Sequence, residues 1–270
     1  MNKKVISFSL WGNKAIYVLG AILNADMASE IWKGWICRFY VSPNVPESAV
    51  KELESRDNVE VVRMEQDESW NGMFWRFYTA SDPEVEITIF RDTDSRIGVR
   101  DKAAVDEWLN SNKNVHIMRD ACVHGWQICG GAWGVRNYAL TGMKDFIDDF
   151  DAKKLMNKHG VDQIYLSYEI YPLIESEAYI HDEYGFFEGE ETHPFPISRL
   201  KGEGWWESDF PEWHSGIERD GGPWNNNHEG TEGFKCPACG EYHDNEYIGK
   251  ICSITKEQLT KYDDIMKDLK

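Results

Sequence analysis

The 270-residue sequence lacks two features that would point to a membrane or to a nucleic acid. No apolar run reaches the ~18 residues that a membrane-spanning helix needs. Positive charge is scarce, because 29 Lys and Arg stand against 47 Asp and Glu, for a formal net charge of −18. Non-specific nucleic-acid binding and anionic-membrane binding both depend on a positive surface. The composition argues against both functions. An anionic small molecule can still bind where a local arginine or metal ion supplies the opposite charge.

Cysteine is also scarce, with six residues that fall into two groups. Cys37, Cys122 and Cys129 lie among apolar residues, and we interpret them as reduced core thiols, which are typical of a cytoplasmic protein. The apolar stretch 5–11 is followed by Gly-Asn-Lys and not by a small-residue cleavage site. We therefore expect a first β-strand there, and not a secretory signal.

The second group of cysteines has the spacing of a zinc knuckle. Cys236 and Cys239 form a Cys-x-x-Cys turn, which places two sulfur atoms on one side of a metal ion. A structural zinc ion needs four ligands, and we expect His243 and Cys252 to complete the site because they are near in sequence. More distant alternatives are His214 and His228. A redox-active thiol pair is the competing interpretation, although the motif does not join a strand to a helix as in thioredoxin-like sites.

Strand-like and helix-like patterns alternate along the first 182 residues. The predicted strands are 5–10, 36–41, 59–64, 85–90 and 115–118. The predicted helices are 15–29, 46–55, 72–80, 101–110, 142–156 and 161–174. This alternation predicts an α/β sandwich with a mostly parallel central sheet. Beyond residue 182 the periodicity fades, so we expect a loop-rich C-terminal extension over 183–270 that ends in a charged helix over 256–270.

The most informative local feature is an acidic motif that follows a strand directly. The apolar segment 85–90 runs into Asp92-x-Asp94, with Arg91 and Arg96 on either side. Ligands of open α/β sheets bind at the carboxyl ends of strands. Two carboxylates at such an end can hold Mg²⁺ or Mn²⁺, which prefer oxygen ligands and share them with substrate phosphates. The alternative is an Asp-rich turn that caps the next helix.

An ordered set of motifs over residues 5–182 resembles the GT-A type glycosyltransferases, in particular uncharacterised bacterial and viral members. The motifs are Ser7-Phe-Ser-Leu-Trp-Gly12, Gly34-Trp-Ile-Cys-Arg-Phe-Tyr40, Phe74-Trp-Arg-Phe77, Arg91-Asp-Thr-Asp-Ser-Arg96, His116-Ile-Met-Arg-Asp120 and Gly130-Gly-Ala-Trp-Gly134. The resemblance implies a GT-A, Rossmann-like domain over 1–182. It also implies a metal-dependent transfer of sugar from a nucleotide-diphosphate sugar to a glycan or other hydroxyl acceptor.

The order of the motifs is also similar to that of glycogenin-like retaining transferases. That similarity implies a hexosyltransferase with retention of configuration. It assigns the Mn²⁺ or Mg²⁺ ligands to Asp92, Asp94 and His181, and a catalytic Asp-Gln pair to Asp162 and Gln163. The nucleoside is expected at the end of the first strand, along Ser9, Leu10, Trp11 and Gly12. The alternative for Asp162 is a helix cap.

The chemistry of the transfer points to further residues. A departing diphosphate needs positive charge, from a metal ion and from Arg76, Arg96 or Arg100. Gly130 and Gly131 allow a ligand to approach the backbone closely, although they could equally form a tight turn. An inverting reaction needs a base, for which Asp120 is the first candidate and His124 a further one. Asp120 could equally bind hydroxyl groups of the donor sugar.

Two other functions compete with sugar transfer. One is a catalytically silent carbohydrate-binding or zinc-stabilised interaction protein with the same fold. Four tryptophans of the extension could stack on sugar rings, or could simply anchor long loops: Trp205, Trp206, Trp213 and Trp224. The other is a nucleotidyltransferase, which ranks last because no Gly-rich basic loop accompanies the first strand.

Overall fold

A computed structural model describes residues 3–65, 70–120, 125–152 and 160–197, together with 234–235, 242–243, 265 and 268. Within these residues, eight strands form one sheet. The strands are β1 (Lys3–Leu10), β2 (Ile36–Val41), β3 (Val59–Arg63), β4 (Val85–Phe90), β5 (Val115–Arg119), β6 (Trp133–Arg136), β7 (Ala178–Asp182) and β8 (Thr192–His193). Their spatial order is β3-β2-β1-β4-β6-β5-β7-β8. Only β6 runs antiparallel to its neighbours, β4 and β5.

Helical segments connect the strands. The α-helices are α1 (Ala15–Ile31), α2 (Glu47–Glu54), α3 (Val99–Asn110), α4 (Met143–Ala152), α5 (Val161–Tyr165) and α6 (Tyr171–Ile174). A 3-10 helix covers Trp70–Ser81, and a π-helical turn, Leu166–Ile170, joins α5 to α6. None of the described helices is both long and apolar enough to cross a membrane.

Two apolar cores lie on the two faces of the sheet. On one face, the apolar residues of α1, α2 and α3 pack around Phe8, Phe39 and Ile89. On the other face, the 3-10 helix, α4 and α5 pack around Phe90 and Trp133. The rings of Phe90 and Trp133 lie 4.3 Å apart. Three layers result, and the predicted α/β sandwich with a mostly parallel sheet is confirmed.

Three strands of the sheet are absent from the sequence prediction: β6, β7 and the two-residue β8. β6 has only four residues and includes Gly134, so it carries neither the length nor the alternation that marks a strand. Glycine is required there because a Cβ at Gly134 would lie 2.8 Å from Ile89 and 3.0 Å from the carbonyl oxygen of Thr88. β7 follows the α6 region without a clear break in the sequence pattern. The antiparallel strand β6 thus lies between β4 and β5, although these two are consecutive among the predicted strands.

Several of the described residues beyond 182 pair or pack with the first 182 residues. β8 pairs with β7, and Phe195 is buried. From the predicted terminal helix, the structure describes Ile265 and Asp268, both helical. Ile265 packs into the core beside α1 and α2, and the Ser48 hydroxyl donates a hydrogen bond to Asp268. The division of the chain at residue 182 remains a prediction.

The thiols that the structure describes are buried. Cys37 and Cys129 are unpaired, and burial raises the pKa of the Cys129 thiol to about 12. Both therefore stay protonated and inert at neutral pH. Cys122 lies outside the described residues, as do Cys236, Cys239 and Cys252. The backbone of His243 belongs to a two-stranded hairpin, β9 (Phe234–Lys235) with β10 (Tyr242–His243), whose connection carries the Cys-x-x-Cys motif.

Candidate functional site

The site is built at the carboxyl edge of the sheet, where Arg91 and Asp92 follow β4. Arg91 is fully buried. Its guanidinium donates to both carboxylate oxygens of Asp101 at 2.8 and 2.6 Å and to the carbonyl oxygens of Phe90 and Trp133. Arg91 thus fastens the end of β4 to α3 and β6. Asp92 is left on the opposite side of the backbone, with 31% of its side chain exposed.

Arg76 of the 3-10 helix lies between two carboxylates that are distant in sequence. One nitrogen of its guanidinium contacts Asp92, and the other donates to Asp162 at 2.8 Å. Arg76 and Asp162 are both buried. Although burial opposes the charge, Asp92 and Asp162 raise the pKa of Arg76 above its ordinary value. We refer to Arg76, Asp92 and Asp162, with Gly130 and Gly131 beside them, as the acidic cluster.

The two glycines give the acidic cluster its space. A Cβ at Gly130 would lie 2.5 Å from both Arg76 and Asp162, and one at Gly131 would lie 2.1 Å from the Asp92 carboxylate. The backbone N–H of Gly130 donates to the Gln163 side chain at 2.9 Å. The glycine pair is therefore needed for close contact with the carboxylates, and the close approach of a ligand stays a prediction.

The end of β1 is tied to the same place. The Ser9 hydroxyl accepts a hydrogen bond from the backbone N–H of Arg76 at 3.0 Å. A Cβ at Gly72 would lie 3.2 Å from the ring of Trp11, so that ring packs closely on the 3-10 helix. Leu10 is buried, and the N–H of Gly12 donates to Asn44 at 2.9 Å. Gly12 has a φ of +75°, which glycine adopts without strain.

The structure therefore brings together several of the residues that the sequence singled out. Those at or beside the acidic cluster are Ser9, Arg76, Asp92, Gly130, Gly131, Asp162 and Gln163. Sequence reasoning assigned Arg76 to phosphate and missed its bridging position. An arginine in an apolar segment indicates that a carboxylate partner is near, because a buried arginine needs one. The neighbouring sequence does not show that this partner is Asp162, which lies 86 residues away.

Arg96 and Asp94 lie deeper in the same turn. Arg96 is 2% exposed, and its guanidinium donates to the carbonyl oxygens of Gly20, Thr93 and Ser95. The structure thus uses Arg96 to hold the turn against α1 and does not place it at the acidic cluster, where a phosphate contact was expected. Asp94 is 1% exposed.

Asp120 follows β5 at the same edge of the sheet and is fully buried. Arg100 of α3 donates to Asp120 at 2.8 Å and to Glu183 at 2.9 Å. The guanidinium carbon of Arg100 lies 3.8 Å from the centre of the Phe195 ring. Arg100 is therefore a positioning group for Asp120. His124 lies outside the described residues.

His181 is not part of the acidic cluster. It lies on β7, fully buried, and its Nδ1 is 2.8 Å from Nε2 of His116 on β5. The ring of His116 stacks on Trp108. Burial, partly opposed by Glu107, lowers the pKa of His181 to about 4. Within the part of the chain that the structure describes, no three His, Cys, Asp or Glu side chains converge so as to hold a metal ion.

The buried histidine pair predicts a pH-dependent stability. Burial also lowers the pKa of His116, so both rings are neutral in the folded protein. In the unfolded chain a histidine binds a proton near pH 6.5. Below that pH the unfolded state binds more protons, so stability falls as the pH decreases. We expect the free energy of unfolding to fall by up to about 1.4 kcal/mol per pH unit for each histidine between pH 6.5 and 5.

Urea unfolding of the wild type and of His181→Gln at pH 7, 6 and 5 measures this dependence. The variant is expected to lose part of the slope because one titrating ring is gone. A wild-type stability that stays constant from pH 7 to 5 would contradict the neutral, buried pair.

The glycine pair gives a second prediction. Gly131→Ala places a methyl group on the Asp92 carboxylate and 3.0 Å from the backbone nitrogen of Asp92, so the turn must shift. Overpacking of this kind costs about 1–3 kcal/mol. We expect a lower urea midpoint and weaker ligand binding. Gly125→Ala is the matched control, because its Cβ would meet Phe186 at an ordinary 3.9 Å. Equal midpoints for the two variants would contradict the close approach.

The acidic cluster fits a hard divalent cation that shares its ligands with a phosphate. Its donors are carboxylate oxygens, Asp94 adds another in the same turn, and Asp92 is partly exposed. Asp92 and Asp162 share the single guanidinium of Arg76, so these three side chains together carry one net negative charge. Mg²⁺ and Mn²⁺ are commonly held by one or two carboxylates with phosphate oxygens completing the shell. A dedicated cage of protein ligands is not needed for such a site.

Comparisons with known proteins find similar solved structures and no similar sequence family. No family model and no curated protein matches the sequence. A glycosyltransferase involved in the glycosylation of the major capsid of PBCV-1 is 16% identical, with 67% of this chain and 82% of that chain covered and a TM-score of 0.47. Glucosyl-3-phosphoglycerate synthase from Mycobacterium tuberculosis, in complex with Mn²⁺, UDP-glucose and phosphoglyceric acid, is 11% identical over 65% and 79%, with a TM-score of 0.39.

A third solved structure belongs to a nucleotidyltransferase. The 4-diphosphocytidyl-2C-methyl-D-erythritol synthase from Anaerococcus prevotii is 12% identical, with 69% of this chain and 89% of that chain covered and a TM-score of 0.44. The structures that this chain resembles are thus GT-A-type glycosyltransferases, as the sequence motifs indicated, and a related nucleotidyltransferase, and the likeness is one of fold.

Proposed function

We propose that this protein is a metal-dependent glycosyltransferase that moves a sugar from a nucleotide-diphosphate sugar to a glycan or another hydroxyl acceptor. The observation that carries the proposal is the acidic cluster. A strand-end carboxylate, Asp92, lies beside a buried arginine and a second carboxylate, and a glycine pair leaves space against it. It occupies the carboxyl edge of the sheet, where open α/β folds bind ligands.

Each residue of the site has its own role in the transfer of the sugar. Asp92 and Asp94 hold the Mn²⁺ or Mg²⁺ ion, which, when bound, acts as a Lewis acid on the departing diphosphate. Arg76 adds hydrogen-bond donors for phosphate oxygens. Gly130 and Gly131 admit the ligand close to the backbone. The nucleoside lies along the end of β1, from Ser9 to Gly12.

Three other carboxylate or amide side chains act on the sugar and the acceptor. Asp162 and Gln163 offer oxygen atoms that stabilise the positive charge developing on the anomeric carbon. Asp120, positioned by Arg100, binds donor-sugar hydroxyl groups or, in an inverting reaction, accepts the proton of the acceptor hydroxyl. We favour retention of configuration because of the order of the motifs along the chain.

A thermal-shift screen tests the proposal. The ligands are UDP, GDP, ADP, CDP and dTDP, their common sugar derivatives, the corresponding nucleoside triphosphates and a set of oligosaccharides, each offered with and without Mn²⁺. A ligand at 100 times its Kd stabilises the folded state by about 2.7 kcal/mol, which raises the Tm by several degrees in a protein of this size. We expect such a shift with one class of nucleotide sugar, and only with the metal ion present.

The other outcomes of the screen separate the competing functions. A shift with nucleoside triphosphates alone would indicate a nucleotidyltransferase. A shift with oligosaccharides and with no nucleotide would indicate a carbohydrate-binding protein. Either result would contradict the proposed transfer.

We also propose that the C-terminal extension binds a structural zinc ion through Cys236 and Cys239, completed by His243 and Cys252. The support is the Cys-x-x-Cys spacing in the connection of the β9–β10 hairpin. Elemental analysis of freshly purified protein should find about one zinc per chain, which Cys236→Ser should lose. Protein purified without chelators that contains no zinc would rule out this site.

A further inference from the structure

We propose that Arg76 is a built-in counter-ion that competes with the divalent cation for Asp92, so that the bare cation binds weakly and is taken up together with the diphosphate. This inference deepens the proposed function and rests on it. It starts from the bridging position of the guanidinium, which contacts Asp92 with one nitrogen and Asp162 with the other.

The backbone of Arg76 is fixed at both polar groups. Its N–H donates to the Ser9 hydroxyl at 3.0 Å, and its carbonyl oxygen accepts from the Ser7 hydroxyl at 2.7 Å. The 3-10 helix thus cannot carry the residue away from β1 without breaking two buried hydrogen bonds. The guanidinium can change partners only by rotation of its side chain.

Arg76 differs from the other buried arginines near β4 in its partners. Arg91 donates to backbone carbonyl oxygens and to the buried carboxylate of Asp101, and Arg96 donates to backbone carbonyl oxygens and to Asn24, so all their partners lie outside the acidic cluster. The hydrogen bonds that Arg76 donates from its side chain go to carboxylates of the acidic cluster, and its Nε is buried with no acceptor within hydrogen-bond distance among the described residues. A ligand with anionic oxygens can therefore provide partners for this guanidinium.

A cation and Arg76 cannot both use Asp92 in the observed arrangement. The guanidinium covers one oxygen of Asp92, and its positive charge repels a divalent cation placed on the other oxygen. A diphosphate changes the balance, because arginine binds phosphate through two parallel hydrogen bonds. Once Arg76 turns to the diphosphate, the oxygen of Asp92 that it covered can serve the cation. The two ligands then strengthen each other's binding, and the coupling is reciprocal.

Titration with Mn²⁺ alone tests the competition, with unbound Mn²⁺ followed by its electron paramagnetic resonance signal. The central variant is the double substitution Arg76→Gln/Asp162→Asn, which removes one positive and one negative charge and leaves the net charge unchanged. We expect Mn²⁺ to bind this variant about 10–100-fold more tightly than the wild type, the range by which groups that hold a metal ligand alter affinity. Arg76→Gln alone is measured as well, in case Asp162 is itself a ligand.

Three further variants define the result. Adding Asp92→Asn to the double variant should abolish the gain, which would place the ion at Asp92. Arg38→Gln/Asp82→Asn is the matched control, because Arg38 is also buried and also bridges two carboxylates, Glu60 and Asp82, away from the acidic cluster. Arg76→Lys keeps the charge with a shorter side chain, and it should fold even where the neutral variants do not. Its ammonium group cannot span both carboxylates, so we expect a smaller gain.

The results of the Mn²⁺ titrations can be distinguished from those of the thermal-shift screen. Tighter Mn²⁺ binding in the Arg76 variants supports the competition even if no nucleotide sugar is found to bind. Unchanged or weaker Mn²⁺ binding in the double variant, in Arg76→Gln and in Arg76→Lys overturns it, even if the wild type proves to be a glycosyltransferase.

Discussion

Replacing Asp92 and Asp94 with asparagine is expected to reduce metal-dependent nucleotide-sugar turnover at least about a hundredfold. The substitution preserves the shape of both side chains and removes the charge that holds the cation. A metal ion at a departing diphosphate contributes several kcal/mol of charge stabilisation, and each 1.36 kcal/mol lost slows the reaction about tenfold. The metal-dependent rise in Tm should disappear with the activity, because we propose that the cation and the diphosphate bind together.

The rate of sugar release from the nucleotide sugar, with and without Mn²⁺, measures this effect. The chain offers a matched control in a second Asp-x-Asp sequence, Asp149-Phe-Asp151, which lies on α4. Asp149→Asn changes the same residue type in the same pattern on an exposed helix surface, and it should leave turnover and ligand-induced stabilisation unchanged. Binding and turnover that survive the Asp92→Asn/Asp94→Asn double change would remove these residues as the metal site.

Replacing Arg91 with methionine is expected to destabilise the protein by about 3–5 kcal/mol, the largest stability effect that we predict. Arg91 and Asp101 are both fully buried and are joined by two hydrogen bonds. Loss of one partner leaves an uncompensated charge in the interior, which is the costly way to break a buried ion pair. Replacement of both partners by apolar residues of similar volume costs much less, since no charge then remains buried.

Urea unfolding of Arg91→Met and of Arg91→Met/Asp101→Leu tests this account. The double variant should recover most of the stability that the single variant loses. Arg63→Met is the control, because Arg63 also contacts two carboxylates but is 52% exposed, and it should leave the midpoint near the wild-type value. A double variant as unstable as the single one would show that the backbone carbonyl contacts of Arg91, and not its charge pair, hold β4 in place.

The neighbours Arg91 and Asp92 show how a strand end separates structural from functional side chains. Successive residues of an extended chain point to opposite sides. Arg91 therefore enters the interior, where it meets Asp101, while Asp92 faces Arg76 and the glycine pair. The two substitutions should have opposite signatures, with loss of stability for Arg91 and loss of metal-dependent binding for Asp92.

Much of the fold could be predicted because its signals are local. β2 and β4 have the predicted bounds, and α1 begins at the predicted residue, since apolar periodicity depends on neighbours along the chain. The helix predicted over 161–174 is in fact α5, a π-helical turn and α6, because the hydrogen-bond register changes where sequence patterns leave no mark. β6 was not predicted for a related reason. It has only four residues, one of them glycine, and it forms a strand by pairing with β4 and β5.

The sequence by itself determined the α/β class, the position of the Asp-x-Asp motif after a buried strand, and the net negative charge from which we expect no polyanion binding. These follow from periodicity, from strand-end chemistry and from charge, which need no knowledge of long-range contacts. Only the tertiary structure decided which arginines face the site. Arg91 and Arg96 point inward to fixed partners, whereas Arg76 reaches Asp92 and Asp162 across 16 and 86 residues. Buried charges must find partners wherever the packing of separate elements places them, and that placement is not encoded in any local segment.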